Sequence, residues 1–191
     1  METVAATPVM TSAADCRASL DDFEAVVGIY WPGIFRFALA SLRDADAAAT
    51  IAQDCFVRAY RSRVRFRGES SVRTWLMRIA VNLVRDAARS RRLQFWKRAQ
   101  EASRDVAALA DAMADGRGSP EAGLAMKEQL QAVWQAVVGL PQRQRTVFLL
   151  RFVEDMDVRE IAAATGMAEG TVKVHLFRAL QAVRKRLGNG R

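Results

Sequence analysis

Lys173, Val174, Phe177, Arg178 and Gln181 fall in one short segment, GMAEGTVKVHLFRALQAVRKRL. Wound as a helix at about 100° per residue, the segment gathers Val172, Leu176, Ala179, Leu180, Val183 and Leu187 into an apolar stripe. Val174, Phe177, Arg178, Gln181, Arg184 and Lys185 fall on the opposite side. Lys173 and Arg178 can donate to guanine or phosphate, while Val174 and Phe177 can pack on thymine methyls and sugar edges in a major groove. A contact between Phe177 and another protein surface is the alternative. Arg184 and Lys185 suit phosphate contacts or simple solvation.

A second set of such residues lies in FRGESSVRTWLMRIAVNLVRDAARSRR. A helix from Val72 would bury Val72, Leu76, Ile79 and Leu83 and set Arg78, Asn82, Arg85 and Arg89 along a polar stripe. Trp75 falls between the two arcs, with Phe66 and Arg67 just upstream. An aromatic ring beside a cationic track suits the stacking of unpaired bases; a core tryptophan with an exposed edge is the other reading. Asn82 adds no charge to the stripe, but its amide can read a base edge.

Covalent chemistry finds no comparable set. The chain carries no glycine-rich phosphate loop and no paired metal motif, and Ser70 and Ser71 have no recognisable cluster of activating groups around them. Cys16, Cys55 and the single His175 cannot close a structural zinc site, and both thiols read as reduced and inert. The expectation is a reader of nucleic acid, not an enzyme, with no cofactor, no metal and no small-molecule substrate.

The elements that must position these residues are helical throughout. The 191 residues are 51% hydrophobic, enough to bury real cores, and carry a formal net charge of +8. After Glu169 no acidic residue occurs, and a second basic run, Arg85 to Arg98, contains only Asp86. Apolar residues recur at helical spacing in FEAVVGIYWPGIFRFALASL, AAATIAQDCFVRAYRSRV and SVRTWLMRIAVNLVRDAARSRR, and strand-like alternation is absent. An all-α fold of two small domains follows: a flexible N-terminus over 1–19, a first block over 20–98, a linker over 99–120 and a second block over 121–188. The linker, including EASRDVAALADAMADGRGSPE, is locally acidic and rich in Ala, Asp and Gly. Ser119, Pro120 and Glu121 suit a helix start, and Pro141 closes one helix and opens the next.

Asp157 and Glu160 have capping-box spacing before VREIAAATG, and Gly166 supplies a left-handed stop ahead of the final helix. That pattern is a helix-turn-helix, with a plain helical hairpin as the alternative. The acid-free outward face of the last helix favours DNA. The N-terminal METVAATPVMTSAAD lacks a basic start and an apolar run, and no apolar segment is expected to approach membrane-spanning length. A cytoplasmic protein is expected.

These blocks together closely resemble the extracytoplasmic-function sigma factors, the smallest members of the bacterial sigma-70 family. FRGESSVRTWLMRIAVN resembles the region-2 segment that melts and reads the minus-10 element; LPQRQRTVFLLRFVEDMDVREIAAATGMAEGTVKVHLFRA resembles region 4, which reads the minus-35 element. The resemblance implies that Phe66, Ser70, Ser71 and Trp75 lie in or beside a base-capturing loop, with Asn82 at the duplex edge or fork and Arg78, Arg85 and Arg89 along the track. It implies that Lys173, Val174, Phe177, Arg178 and Gln181 face the minus-35 groove, with Thr171 and His175 nearer phosphate. TIAQDCFVRAY is similar to the helix that docks on the clamp helices of the largest polymerase subunit, which implies that Gln53 and Asp54 are contacts.

The chain departs from the family at two places. Ala49 and Thr50 stand where an acidic pair is usual, and Ala168 stands where a helix-capping serine or proline is common. The resemblance further implies core RNA polymerase, through clamp and flap, and promoter DNA, both duplex and single-stranded, as partners. It also implies an anti-sigma factor, which could hold the protein near the inner membrane. The acidic linker resembles a segment threaded through the polymerase RNA channel, a solvated spacer being the alternative. Two competing readings are a two-domain helix-turn-helix repressor or activator acting on duplex DNA, and a recombinase or similar enzyme with a terminal helix-turn-helix.

Overall fold

The computed structural model of the chain describes residues 20–95 and 131–188. Cys16, the N-terminal stretch, the linker and the helix start at Ser119, Pro120 and Glu121 lie outside the described residues. Among the described residues the regular structure is helical, as the periodicity implied.

The first block is built from α1 (Phe23–Leu42), α2 (Ala45–Ser62), a single 3₁₀ turn (Arg63–Arg65) and α3 (Val72–Phe95). Short polar side chains set its boundaries. Asp22 Oδ1 accepts from Ala25 N at 3.1 Å and Asp44 Oδ1 from Ala47 N at 2.9 Å, satisfying amides that the first turns of α1 and α2 leave free. Ser71 Oγ accepts from Thr74 N at 3.1 Å ahead of α3. Between α1 and α2 the chain reverses through Arg43, whose φ of 55° is left-handed and whose N–H returns to Leu39 O.

α1 spans 20 residues and contains an 18-residue window of mean hydropathy 1.4, so by length and composition it could cross a membrane, contrary to the sequence-based expectation. Its apolar residues have another use here. Val26, Ile34, Phe37, Ala38, Leu39 and Ala40 are buried where α1 packs on α2 and α3, as in a core helix.

The second block contains helical residues 131–138, then α4 (Gln142–Phe152), α5 (Val158–Thr165) and α6 (Glu169–Gly188). Pro141 precedes α4 at its N-cap. Trp134, Val137, Leu140, Val147, Leu149, Leu150, Met156 and Ile161 are buried with Val172, Ala179 and Val183 of α6. Burying a Val, Leu or Ile side chain contributes about 1.5–3 kcal/mol, so these residues dominate the stability of the block. Arg186 clamps it: Nη1 and Nη2 donate to Ala136 O and Gly139 O at 3.0 and 3.4 Å, where the preceding helical residues end. Gly139 leaves room for that guanidinium, which a Cβ there would displace.

Two details of the expected cores change. Leu187, placed on the buried stripe of the last helix, is 38% exposed, near the end of α6. In α3, Val72, Leu76 and Leu83 are buried as expected and Ile79 is half-buried, but Met77, Ala80, Val81 and Val84 are buried too. α3 packs on α1 and α2 and also on α5 of the second block, so it is covered along more than one arc.

Candidate nucleic-acid interfaces

The helix-turn-helix is assembled by the capping residues read from the sequence. Asp157 Oδ1 accepts from Glu160 N at 2.8 Å, while Asp157 N donates to Glu160 Oε2 at 2.9 Å, closing the capping box at the start of α5. Gly166, at φ 72°, stops α5 with its N–H on Ala162 O. Turn residues Met167 and Ala168 lead into α6, which packs on α5 and α4.

The start of α6 has no side-chain oxygen to cap it. Val172 N donates to Ala168 O at 3.1 Å in the first helical turn, but an alanine cannot satisfy the amides beyond. Ala168→Ser is expected to stabilise the protein by roughly 1 kcal/mol, read as a higher denaturant midpoint with an unchanged slope.

With α6 anchored by Val172, Ala179 and Val183, its outward face is presented whole. Val174 and Phe177 are 47% and 61% exposed, and Thr171, Lys173, Arg178 and Gln181 are exposed around them. His175 is half-buried, and its Nδ1 is buried without a hydrogen-bond partner. An apolar pair flanked by cations on a second helix of this kind matches a surface of methyls and negative charge.

On the first block, Arg78, Arg85 and Arg89 are exposed along α3, and Asn82 is half-buried with its Oδ1 accepting from Arg85 Nη2 at 2.9 Å. Trp75 is half-buried, which fits both readings of it. Phe66 is only 6% exposed, and its ring lies 4.9 Å from that of Trp75 at 43°. It therefore braces Trp75 from inside and does not itself face solvent. Ser70 is half-buried and Ser71 exposed, the latter's hydroxyl sharing a 2.9 Å hydrogen bond with Thr74. These residues form one edge of the block, at the N-terminal end of α3.

On α2, Gln53 and Asp54 are exposed, opposite buried Ile51, Ala52, Cys55 and Phe56. Thr50 Oγ1 donates to Asp46 O at 2.9 Å, within the helix. Sequence reasoning missed the rest of this face. Val57, Tyr60 and Val64 are 46%, 49% and 86% exposed and continue the line of Gln53 at helical spacing. The signal was an apolar stripe out of phase with the core, the pattern that did single out Val174 and Phe177. Arg63 lies 3.6 Å over the Tyr60 ring, adding a cation to the patch. Cys55 is set apart from such chemistry: burial pushes its thiol up to about 12, against smaller opposing effects of Arg58 and a backbone hydrogen bond.

Two exposed faces that pair cations with aromatic or apolar groups, carried on two helical blocks, define an all-α DNA-binding protein. Family models described as Sigma-70 region 2 and Sigma-70, region 4 match residues 27–94 and 130–183. The ECF RNA polymerase sigma factor SigW of Bacillus subtilis is 31% identical over 172 residues, 90% of this chain and 91% of the relative. The ECF RNA polymerase sigma-E factor of Escherichia coli K12 is 33% identical over 141 residues, 70% of each chain. The chain belongs to the extracytoplasmic-function group of the sigma-70 family and is an alternative sigma factor of transcription initiation. The repressor or activator alternative finds no support among these matches.

The fold has counterparts among solved structures. The sigma factor RpoE in complex with the anti-sigma factor NepR from Bartonella quintana superposes with a TM-score of 0.69 at 23% identity, covering 90% of this chain and 99% of that one. CnrH in complex with the cytosolic domain of CnrY gives 0.63 at 20% identity, covering 93% and 95%.

Proposed function

We propose that the first block, over 20–98, docks on core RNA polymerase through α2 and captures the minus-10 strand at the N-terminal end of α3, while the second block, over 121–188, reads the minus-35 element with α6. The observation that carries this reading is the solvent-facing pair Val174 and Phe177, 47% and 61% exposed, beside exposed Lys173 and Arg178 on the second helix of a helix-turn-helix whose first helix is capped at both ends. Arg178 and Lys173 supply donors to guanine or phosphate, Val174 and Phe177 supply contacts to thymine methyls, and Gln181, Thr171 and His175 complete the footprint. Trp75, braced by Phe66, offers a face to an unstacked base beside Ser70 and Ser71. Arg78, Arg85 and Arg89 then track the backbone and Asn82 reads the fork.

Selection comes from differential binding. The chain contributes no bond-making step; by holding opened DNA more tightly than closed, it shifts the equilibrium toward the melted promoter while polymerase performs the chemistry. Acting with core polymerase, the protein would work in the cytoplasm, and an anti-sigma factor covering the same faces would regulate it; the similar RpoE was solved in complex with the anti-sigma factor NepR.

Adding the purified chain to core polymerase tests the whole reading. Promoter-specific transcripts are expected; duplex binding without transcripts, or strand cleavage, would refute it. Polymerase docking has its own test at Asp54. A carboxylate facing a cationic clamp becomes a like-charge contact in Asp54→Arg, so core affinity is expected to fall at least tenfold with the helical content unchanged. A folded variant with wild-type affinity would remove Asp54 from the interface.

A further inference from the structure

The two blocks meet along a seam in which α3 packs on α5 and α1 on α4. At its centre is Glu154, 3% exposed, on the turn between α4 and α5 beside Asp155, whose φ of 46° is left-handed. Arg36 of α1 grips the carboxylate with both ends of its fork, Nε donating to Oε1 at 2.9 Å and Nη2 to Oε2 at 3.2 Å. Arg73 of α3 adds Nη2 at 3.9 Å from Oε2. Gly33 makes the space: a Cβ there would stand 2.9 Å from Glu154 Oε2 and 3.8 Å from the Met77 methyl. Two further hydrogen bonds cross the seam, Thr74 Oγ1 donating to Glu160 Oε1 at 3.4 Å and Arg145 Nη1 to Ser41 O at 3.3 Å.

This arrangement conflicts with simultaneous reading of two promoter elements. Elements centred about 25 base pairs apart are separated by roughly 85 Å at about 3.4 Å per step. Here α5, the partner of α6 in the helix-turn-helix, is fastened to α3, which carries Trp75 and Asn82. Thr74, the immediate neighbour of Trp75, is 3% exposed at that contact. The chain between the blocks has the reach to let them part: residues 96–130 could span roughly 115 Å at about 3.3 Å per residue.

We propose that Glu154, gripped by Arg36 against Gly33, is an intramolecular latch that holds the free protein in a compact form unable to span a promoter. This rests on the assignment of α3 and α6 as the reading helices. The latch is specific without being strong. Burial pushes the Glu154 carboxyl above its ordinary range, and the Arg36 hydrogen bond and the Arg36 and Arg73 charges pull it back only in part. A buried pair returns little more than its desolvation costs, so contacts with polymerase suffice to open it.

Small-angle scattering from the free full-length protein reads the latch directly. Arg36→Ala strands the carboxylate in the seam and is expected to raise the radius of gyration by about a fifth over the compact wild type. Arg36→Ala combined with Glu154→Met removes both halves of the latch without stranding a charge, and is expected to keep its helical content and remain expanded. Gly33→Leu fills the carboxylate's space without altering either charge, and the same expansion is expected. Circular dichroism separates opening, which keeps helical content, from unfolding. An unchanged radius in both Arg36→Ala and Gly33→Leu would overturn the latch, as would a loss of helix in Arg36→Ala that Glu154→Met does not reverse. Neither measurement involves polymerase or DNA, so its failure is distinct from failure of the initiation reading, which promoter transcription by the wild type decides.

Discussion

Arg178→Ala is expected to weaken transcription from a matched promoter about 5- to 150-fold, equivalent to roughly 1 to 3 kcal/mol, and to relax preference at one minus-35 position. The guanidinium is exposed on the outward face of α6, with Ala179 beside it buried, so truncation removes a donor without opening the core. Loss of a phosphate contact has a different signature. Lys185→Ala should weaken all promoters nearly alike and flatten the salt dependence, because fewer counterions are released on binding. Phe177→Ala should lower discrimination at a neighbouring thymine while leaving the salt slope unchanged, since an apolar contact releases none. A randomised minus-35 library transcribed by each variant makes the comparison. Unaltered preference in both Arg178→Ala and Phe177→Ala would assign this face to a protein partner.

Trp75→Ala should reduce open-complex formation on a closed promoter roughly tenfold or more, and much less on a premelted template, because a stacked base contributes about 1 to 3 kcal/mol. Premelting removes the unpairing cost that capture of the base helps offset. The ring is also part of the fold, at 4.9 Å from Phe66, so thermal melting must accompany the assay, and Trp75→Phe should retain most of both functions. Asn82→Ala should show the same template dependence with a smaller loss of stability, since its side chain is only half-buried and its bond to Arg85 is local. Equal losses on closed and premelted templates would remove these residues from strand opening.

Much of the site was legible because its determinants are local. The capping box at Asp157 and Glu160, the left-handed Gly166 and the phase of Val174 and Phe177 against Val172, Ala179 and Val183 all depend on neighbours within a few residues, and the structure has each of them. The resemblance to sigma regions 2 and 4 drew on the same stretches and agrees with the family matches. The face of α2 shows where reading stopped short. Val57, Tyr60 and Val64 follow Gln53 at helical spacing and out of phase with Ile51, Ala52, Cys55 and Phe56, but spacing does not say which of two apolar arcs is covered; the burial of the latter four turns the former outward.

From the sequence alone came the helices, the capping box and glycine stop of α5, the helix-turn-helix and the chemical character of its outward face, because hydrogen bonding and side-chain phase within a helix repeat every few residues. Tertiary structure alone decided which apolar arcs are covered. Met77, Ala80, Val81 and Val84 are buried as well as Leu76 and Leu83, since α3 meets helices of both blocks, and Phe66 turns in behind Trp75. It also sorted charges that look alike in sequence. Arg186 closes the second block on Ala136 and Gly139, Arg178 stays exposed on α6, and Arg36 and Glu154, 118 residues apart, meet across the seam. No local pattern encodes such a pair, because the energy of a buried charge depends on what the rest of the fold brings within a few ångströms of it.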